Sequence, residues 1–153
     1  ADAAVSVGCA LNRAGYALDL HLIEAAALVH DLARGRPDHA RCGAHLLREL
    51  GMPRMAAIVE THMELSTSAP LTITEAEIVF LADKLVQEDR WGGLSARFAQ
   101  RRERFPAGSP AAESLRARMA LAERLAADIE AAIGRPLEQL HSEGSDRPGR
   151  LSQ

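Results

Sequence analysis

A chain of 153 residues is long enough for one domain with a substantial core. Aromatic residues make up only 3% against 47% apolar, so that core is built from Ala, Leu, Ile, Val and Met, a palette that favours helices. A net charge of −3 with interspersed signs argues against nucleic acid or an anionic membrane as a partner, and nothing approaches the roughly 20 apolar residues of a membrane span.

Ala3 to Arg13 reads as a first helix with Val5, Cys9 and Leu11 inward, stopped by Gly15. Asp19 is the natural cap of a second, Leu20 to Ala33. Ile23, Ala26, Ala27 and His30 fall at i, i+3, i+4 and i+7, so His30 shares its buried face. Gly35-Arg36-Pro37 breaks the chain. Asp38 then caps a third helix carrying Ala40, Ala44, Leu47 and Leu50 and ending at Gly51. Pro53 opens a fourth, with Ala56, Val59 and Met63 on one face and His62 near its end. Ser66 to Leu71 reads as a loop.

Thr74 and Glu77 have capping-box spacing. They open a fifth helix with Ile78, Leu81, Ala82 and Leu85 inward, and Trp91-Gly92-Gly93 ends that region. Leu94 to Phe105 forms a shorter helix whose Arg101-Arg102-Glu103-Arg104 cluster lies on a solvated face. Ser109-Pro110 starts a long one with Leu115, Met119, Ala122, Ala126, Ile129 and Ile133 in helical register. Gly134 closes it and Pro136 prevents resumption. After His141 the composition turns to that of a frayed tail. The fold class expected is all-α, seven to eight helices and no sheet.

The residues that carry chemistry are scattered along this scheme. His30 and Asp31 form an adjacent imidazole–carboxylate pair, a combination suited to a divalent metal. His39 begins the third helix and His62 ends the fourth; His21 and His45 read as surface groups, and His141 carries no assignment. Asp83 interrupts the apolar run Ile78-Val79-Phe80-Leu81-Ala82. A carboxylate on a core-facing helix needs a cation or several donors. Lys84 is adjacent, but neighbours on a helix do not face each other, so a metal is the better expected partner.

The ordered set His30-Asp31, His39, His62 and Asp83 resembles the HD superfamily of metal-dependent phosphohydrolases, over roughly Ala1 to Arg90. Ala26-Ala27-Leu28-Val29-His30-Asp31-Leu32-Ala33 is similar to that family's dyad region, and Ile78-Val79-Phe80-Leu81-Ala82-Asp83-Lys84 to its distant aspartate. His39, Gly43-Ala44 and His62 further resemble the branch containing bacterial diadenosine tetraphosphate hydrolases, and HD domains fused to molybdenum-cofactor-type nucleotidyltransferases. One departure is that the family's early metal-binding histidine has no counterpart here. The expectation is an HD-domain-like helical bundle over 1–141, N-terminally truncated with its first helix incomplete, followed by a flexible tail, 142–153.

The resemblance implies metal-assisted hydrolysis of a nucleotide or other phosphoester or phosphoanhydride by an activated water. It implies metal ligation by His30, Asp31, His39, His62 and Asp83, holding one or two ions of Fe, Mn, Co, Ni, Zn or Mg. Asp31 and Lys84 are the expected catalytic groups, and Arg34, Lys84 and Arg90 the expected cations on the substrate phosphate. The partner expected is a small phosphorylated molecule, with a fused or upstream nucleotidyltransferase and a homodimer both left open. Two alternatives stand beside this: a non-catalytic nucleotide- or metal-binding regulatory domain of a larger nucleotidyltransferase-type protein, and a bare helical bundle whose dyad is core chemistry. Cys9 and Cys42, outside any CxxC pair, form no disulfide framework and fit a reducing cytoplasm.

Overall fold

Asp19, Thr74 and Ser109 stand at the starts of three helices, and in the computed structural model each side chain accepts a backbone N–H of the first turn. The structure describes residues 1–65, 72–87, 90–102 and 104–144. In chain order these form α1 (Asp2–Arg13), α2 (Leu20–Val29), α3 (His39–Glu49), α4 (Pro53–Thr61), α5 (Glu75–Leu85), β1 (Val86–Gln87), β2 (Arg90–Trp91), α6 (Leu94–Arg102), α7 (Pro110–Ile133) and α8 (Gln139–Gly144). The fold is all-α, as expected, and no described helix is long and apolar enough to cross a membrane.

α5 is the central element. Ile78, Val79, Phe80 and Leu81 are all buried, so it is apolar around much of its circumference. It packs against α1, α2, α4, α6 and α7. α1 meets α2 across Gly8, where a Cβ would lie 2.9 Å from Leu20 Cδ2 and 3.0 Å from Ile23 Cδ1. The missing side chain is what lets the two helices approach. α3 and α4 form an antiparallel pair with a smaller core of its own: Ala44, Leu47, Ala56 and Val59.

Several expectations need correction. α2 stops at Val29, not Ala33; His30 to Asp38 follow as turns and a bend, and His30 is the C-cap. The dyad therefore sits just beyond a helix end, where the backbone is freer to aim side chains. Leu50 is exposed, because α3 ends one residue before it. In α1 the most buried side chains are Ala4, Val7 and Leu11, with Cys9 only half-buried.

Asp38 does not cap α3. Its φ of 53° lies in the left-handed region, its side chain makes no capping bond, and it pairs with Arg41 instead. A two-stranded antiparallel ribbon, Val86 opposite Trp91 and Gln87 opposite Arg90, follows α5 where no strand was expected. α6 ends at Arg102. Pro136 does not end helical structure: α8 follows, with Leu137 and Leu140 in the core and α8 against α1. The stretch expected as tail thus starts inside α8; residues 145–153, like the expected loop Ser66 to Leu71, lie outside the described residues.

Candidate metal centre

Four separate segments deliver side chains to one place: the turn after α2 (His30, Asp31), the start of α3 (His39), the end of α4 (His62) and the last turn of α5 (Asp83). Asp31 is the hub. Its Oδ1 lies 3.2 Å from His39 Nε2 and 3.6 Å from His62 Nε2, and its Oδ2 lies 3.7 Å from His30 Nε2. His30 Nε2 is also 3.7 Å from Asp83 Oδ1. The five side chains singled out as ligands therefore converge. Asp31, His39 and His62 form a compact group whose donor atoms all lie within 4.8 Å of one another.

Local backbone chemistry orients two of the histidines. His30 Nδ1–H donates to the Ala27 carbonyl at 2.8 Å, and His62 Nδ1–H to the Val59 carbonyl at 2.6 Å. Both bonds reach back three residues into the preceding helix. The last carbonyls of a helix have no internal partner, so an imidazole just past the end is a natural donor to them. With Nδ1 carrying the proton, each neutral ring turns the lone pair of Nε2 toward the cluster. His39 enters from the other side, with Nε2 3.3 Å from that of His62. The left-handed backbone of Asp38 precedes it, a conformation that costs a non-glycine residue about 1–2 kcal/mol.

These lone pairs test whether the residues fit an ion. His30 Nε2 faces two carboxylates, and a neutral ring there would oppose lone pair to lone pair. A proton or a cation between them removes the conflict. Accordingly, the Asp83 carboxylate raises the His30 pKa, with burial opposing and the Ala27 carbonyl and Asp31 assisting. His62, fully buried at 0% exposure, has its pKa lowered, first by burial and then by the positive groups at His30 and Lys84. Mixed nitrogen and oxygen donors at this spacing suit a divalent transition metal or Mg.

The expected phosphate-binding cations fare differently. Arg34 lies at the rim, its side chain 82% exposed and 3.5 Å from Asp31 Oδ2. Arg90 lies in β2, exposed, and the structure does not bring it into these contacts. Lys84 does not point to solvent: it is 5% exposed, its ammonium donates to the His62 carbonyl at 2.7 Å and to Asp83 Oδ2 at 3.1 Å, and it lies 3.9 Å above the Phe80 ring. Adjacent residues do pair here, because the long lysine stem folds back along the helix. A signal for its burial stood in the sequence: Phe80 and Leu81, at i−4 and i−3, put position 84 on the inward face. His21 and His45 are exposed, as expected.

An all-helical bundle with a His-Asp pair, a later aspartate and further histidines around one point defines the class. The HD domain profile matches residues 2–87, more than half of the chain, and the chain belongs to the HD domain family. HD domains bind divalent metals and are generally hydrolases. Among curated proteins, an uncharacterized protein of Methanocaldococcus jannaschii is 36% identical over 64 residues, covering 39% of this chain and 38% of that relative. The match thus spans under two fifths of the relative's length. No solved structure matches the chain significantly.

Proposed function

We propose that this chain is a metal-dependent phosphohydrolase acting on a small phosphorylated molecule, a nucleotide or another phosphoester or phosphoanhydride. One observation carries the reading: His30 and His62, each fixed by its Nδ1 bond to a backbone carbonyl, turn Nε2 toward the same aspartate. His30, Asp31, His39, His62 and Asp83 are the ligands. His39 and His62 both lie beside Asp31 Oδ1, an arrangement that would hold one or two ions and that supports the diadenosine tetraphosphate hydrolase-like reading of the added histidines.

When bound, a divalent ion lowers the pKa of water and polarises the phosphoryl group. The chain's own groups do the rest. Asp31 orients the attacking water and accepts its proton, being acceptor-only when ionised and partly open to solvent. Arg34, at the rim, holds non-bridging phosphate oxygens. The rings of His30 and His62 stay fixed by Ala27 and Val59, so the site needs little reorganisation as charge develops.

The test is hydrolysis by the purified chain of dinucleoside polyphosphates, nucleoside phosphates and a generic phosphodiester with Mn, Fe, Co and Mg, measured as phosphate or nucleotide release. Turnover that Asp31→Ala abolishes and Arg34→Ala weakens chiefly through KM is expected. A chain that binds metal and nucleotide without turnover is a regulatory domain, and one that binds no metal ends the hydrolytic reading.

A further inference from the structure

Lys84 is the buried charge that the hydrolytic scheme does not use. Removing an ammonium from water is expensive, and the expense is tolerated only where several groups compensate. Here three do. The first is the carbonyl of His62, at the C-cap of α4 and therefore at the negative end of that helix. The second is Asp83 Oδ2, and the third is the face of Phe80. Both polar partners belong to residues of the candidate centre. Asp83 Oδ1 is the oxygen 3.7 Å from His30 Nε2, and Oδ2 is the one Lys84 holds at 3.1 Å.

We propose, resting on the metal-centre reading above, that Lys84 is a positioning residue. It holds one oxygen of Asp83 so that the other faces His30, and it ties the end of α4, and with it His62, to α5. Its ammonium also offsets part of the repulsion between Asp83 and Asp31 on either side of His30. Outer partners of this kind typically change metal affinity about 10- to 100-fold.

Cobalt(II) is the probe, because its visible absorption reports the ligand set independently of turnover. Lys84→Met keeps length and apolar packing while deleting the charge and its hydrogen bonds to the His62 carbonyl and Asp83. The variant is expected to bind cobalt about 10- to 100-fold more weakly, with a changed spectrum. In an Asp83→Asn background the same replacement is expected to have little further effect, because the group it positions is already altered. Unchanged affinity and spectrum in Lys84→Met, or an equal loss in both backgrounds, overturns the proposal.

If Lys84→Met does not fold, the wild-type chain decides by nitrogen NMR. A slowly exchanging Lys84 ammonium resonance that shifts on adding zinc is expected, and its absence or indifference to zinc overturns the proposal. A wild-type chain that takes up no cobalt removes the metal-centre reading and this inference with it. Wild-type uptake matched by Lys84→Met removes the inference alone.

Discussion

His39 Nε2 and His62 Nε2 approach to 3.3 Å, and the bond from His62 Nδ1 to the Val59 carbonyl leaves the lone pair of His62 on the facing atom. The two rings therefore share a proton or an ion. They also share Asp31 Oδ1, at 3.2 and 3.6 Å. Replacing either ring removes a direct donor, so His39→Ala and His62→Ala are each expected to weaken metal binding by about 100-fold or more, the upper end for losing an outer partner. Calorimetric titration with manganese checks this. Wild-type affinity in both variants would leave the pair without a ligating role.

Metal uptake is expected to depend on pH with a definite sign. Asp83 raises the His30 pKa, and a ligating imidazole must be unprotonated. Affinity therefore climbs as pH rises through that raised pKa, and binding below it releases a proton. In metal-free protein the linkage runs the other way. A folded-state pKa above the unfolded one gives a stabilisation that is complete below the ordinary imidazole pKa and is lost as pH rises through the raised value. Thermal melts of metal-free wild type and His30→Gln across the neutral range should converge as pH increases. Curves that diverge there would contradict the assignment.

Asp19 joins the starts of two helices. Its carboxylate accepts the Leu22 N–H at 3.1 Å, and its own N–H donates to Glu75 Oε1 at 3.0 Å. The Leu22 bond is the first cause of its lowered pKa, with Arg54 assisting. A depressed folded-state pKa means stabilisation present above the ordinary carboxylate pKa and lost as pH falls through the depressed one. Asp19→Ala is expected to melt lower than wild type at neutral pH, with the gap closing in acid. An equal gap at both extremes would rule out the charge as its origin.

Thr74 opens α5, the element that carries Asp83. Its hydroxyl accepts the Ala76 N–H, its own N–H donates to Glu77 Oε2 at 3.0 Å, and its hydroxyl also pairs with Glu77. Thr74→Ala breaks this reciprocal cap and is expected to cost about 1 kcal/mol, read from denaturant unfolding. A loss well below ~0.5 kcal/mol would mean that packing alone fixes the start of α5.

Gly8 sets the separation of α1 and α2. Alanine there gains up to about 1 kcal/mol of helix propensity, but its Cβ meets Leu20 and Ile23 at or inside 3.0 Å. Leu20 is half-buried and can yield, whereas Ile23 is fully buried and cannot. Valine adds two methyl groups to that contact without alanine's propensity, so Gly8→Val is expected to destabilise by about 1–3 kcal/mol. Chemical unfolding of the two variants separates crowding from propensity.

Much of this was legible in the sequence, and for stated reasons. The helical periods of α1, α4, α5 and α7 and the caps at Asp19, Thr74 and Ser109 rest on local chemistry, which sequence exposes directly. Asp83 announced itself as a charge inside an apolar run. What escaped was tertiary. Leu137 and Leu140 are too few to show a period, yet contact with α1 holds α8 beyond Pro136. The left-handed backbone at Asp38 contradicts its capping propensity, and nothing local reveals it. The charge of Lys84 points to solvent or substrate, while its spacing from Phe80 and Leu81 places it inward, where the structure has it.

The five proposed ligand residues come from four stretches that are distant along the polymer. An ion held among them is a reversible cross-link: the turn after α2, the head of α3, the tail of α4 and the last turn of α5 can separate only after letting it go. At a free concentration 100 times its dissociation constant, such a cross-link deepens the folded well by about 2.7 kcal/mol. Chelation should therefore loosen the α3–α4 hairpin first, seen as faster amide exchange there, because its own core is only Ala44, Leu47, Ala56 and Val59.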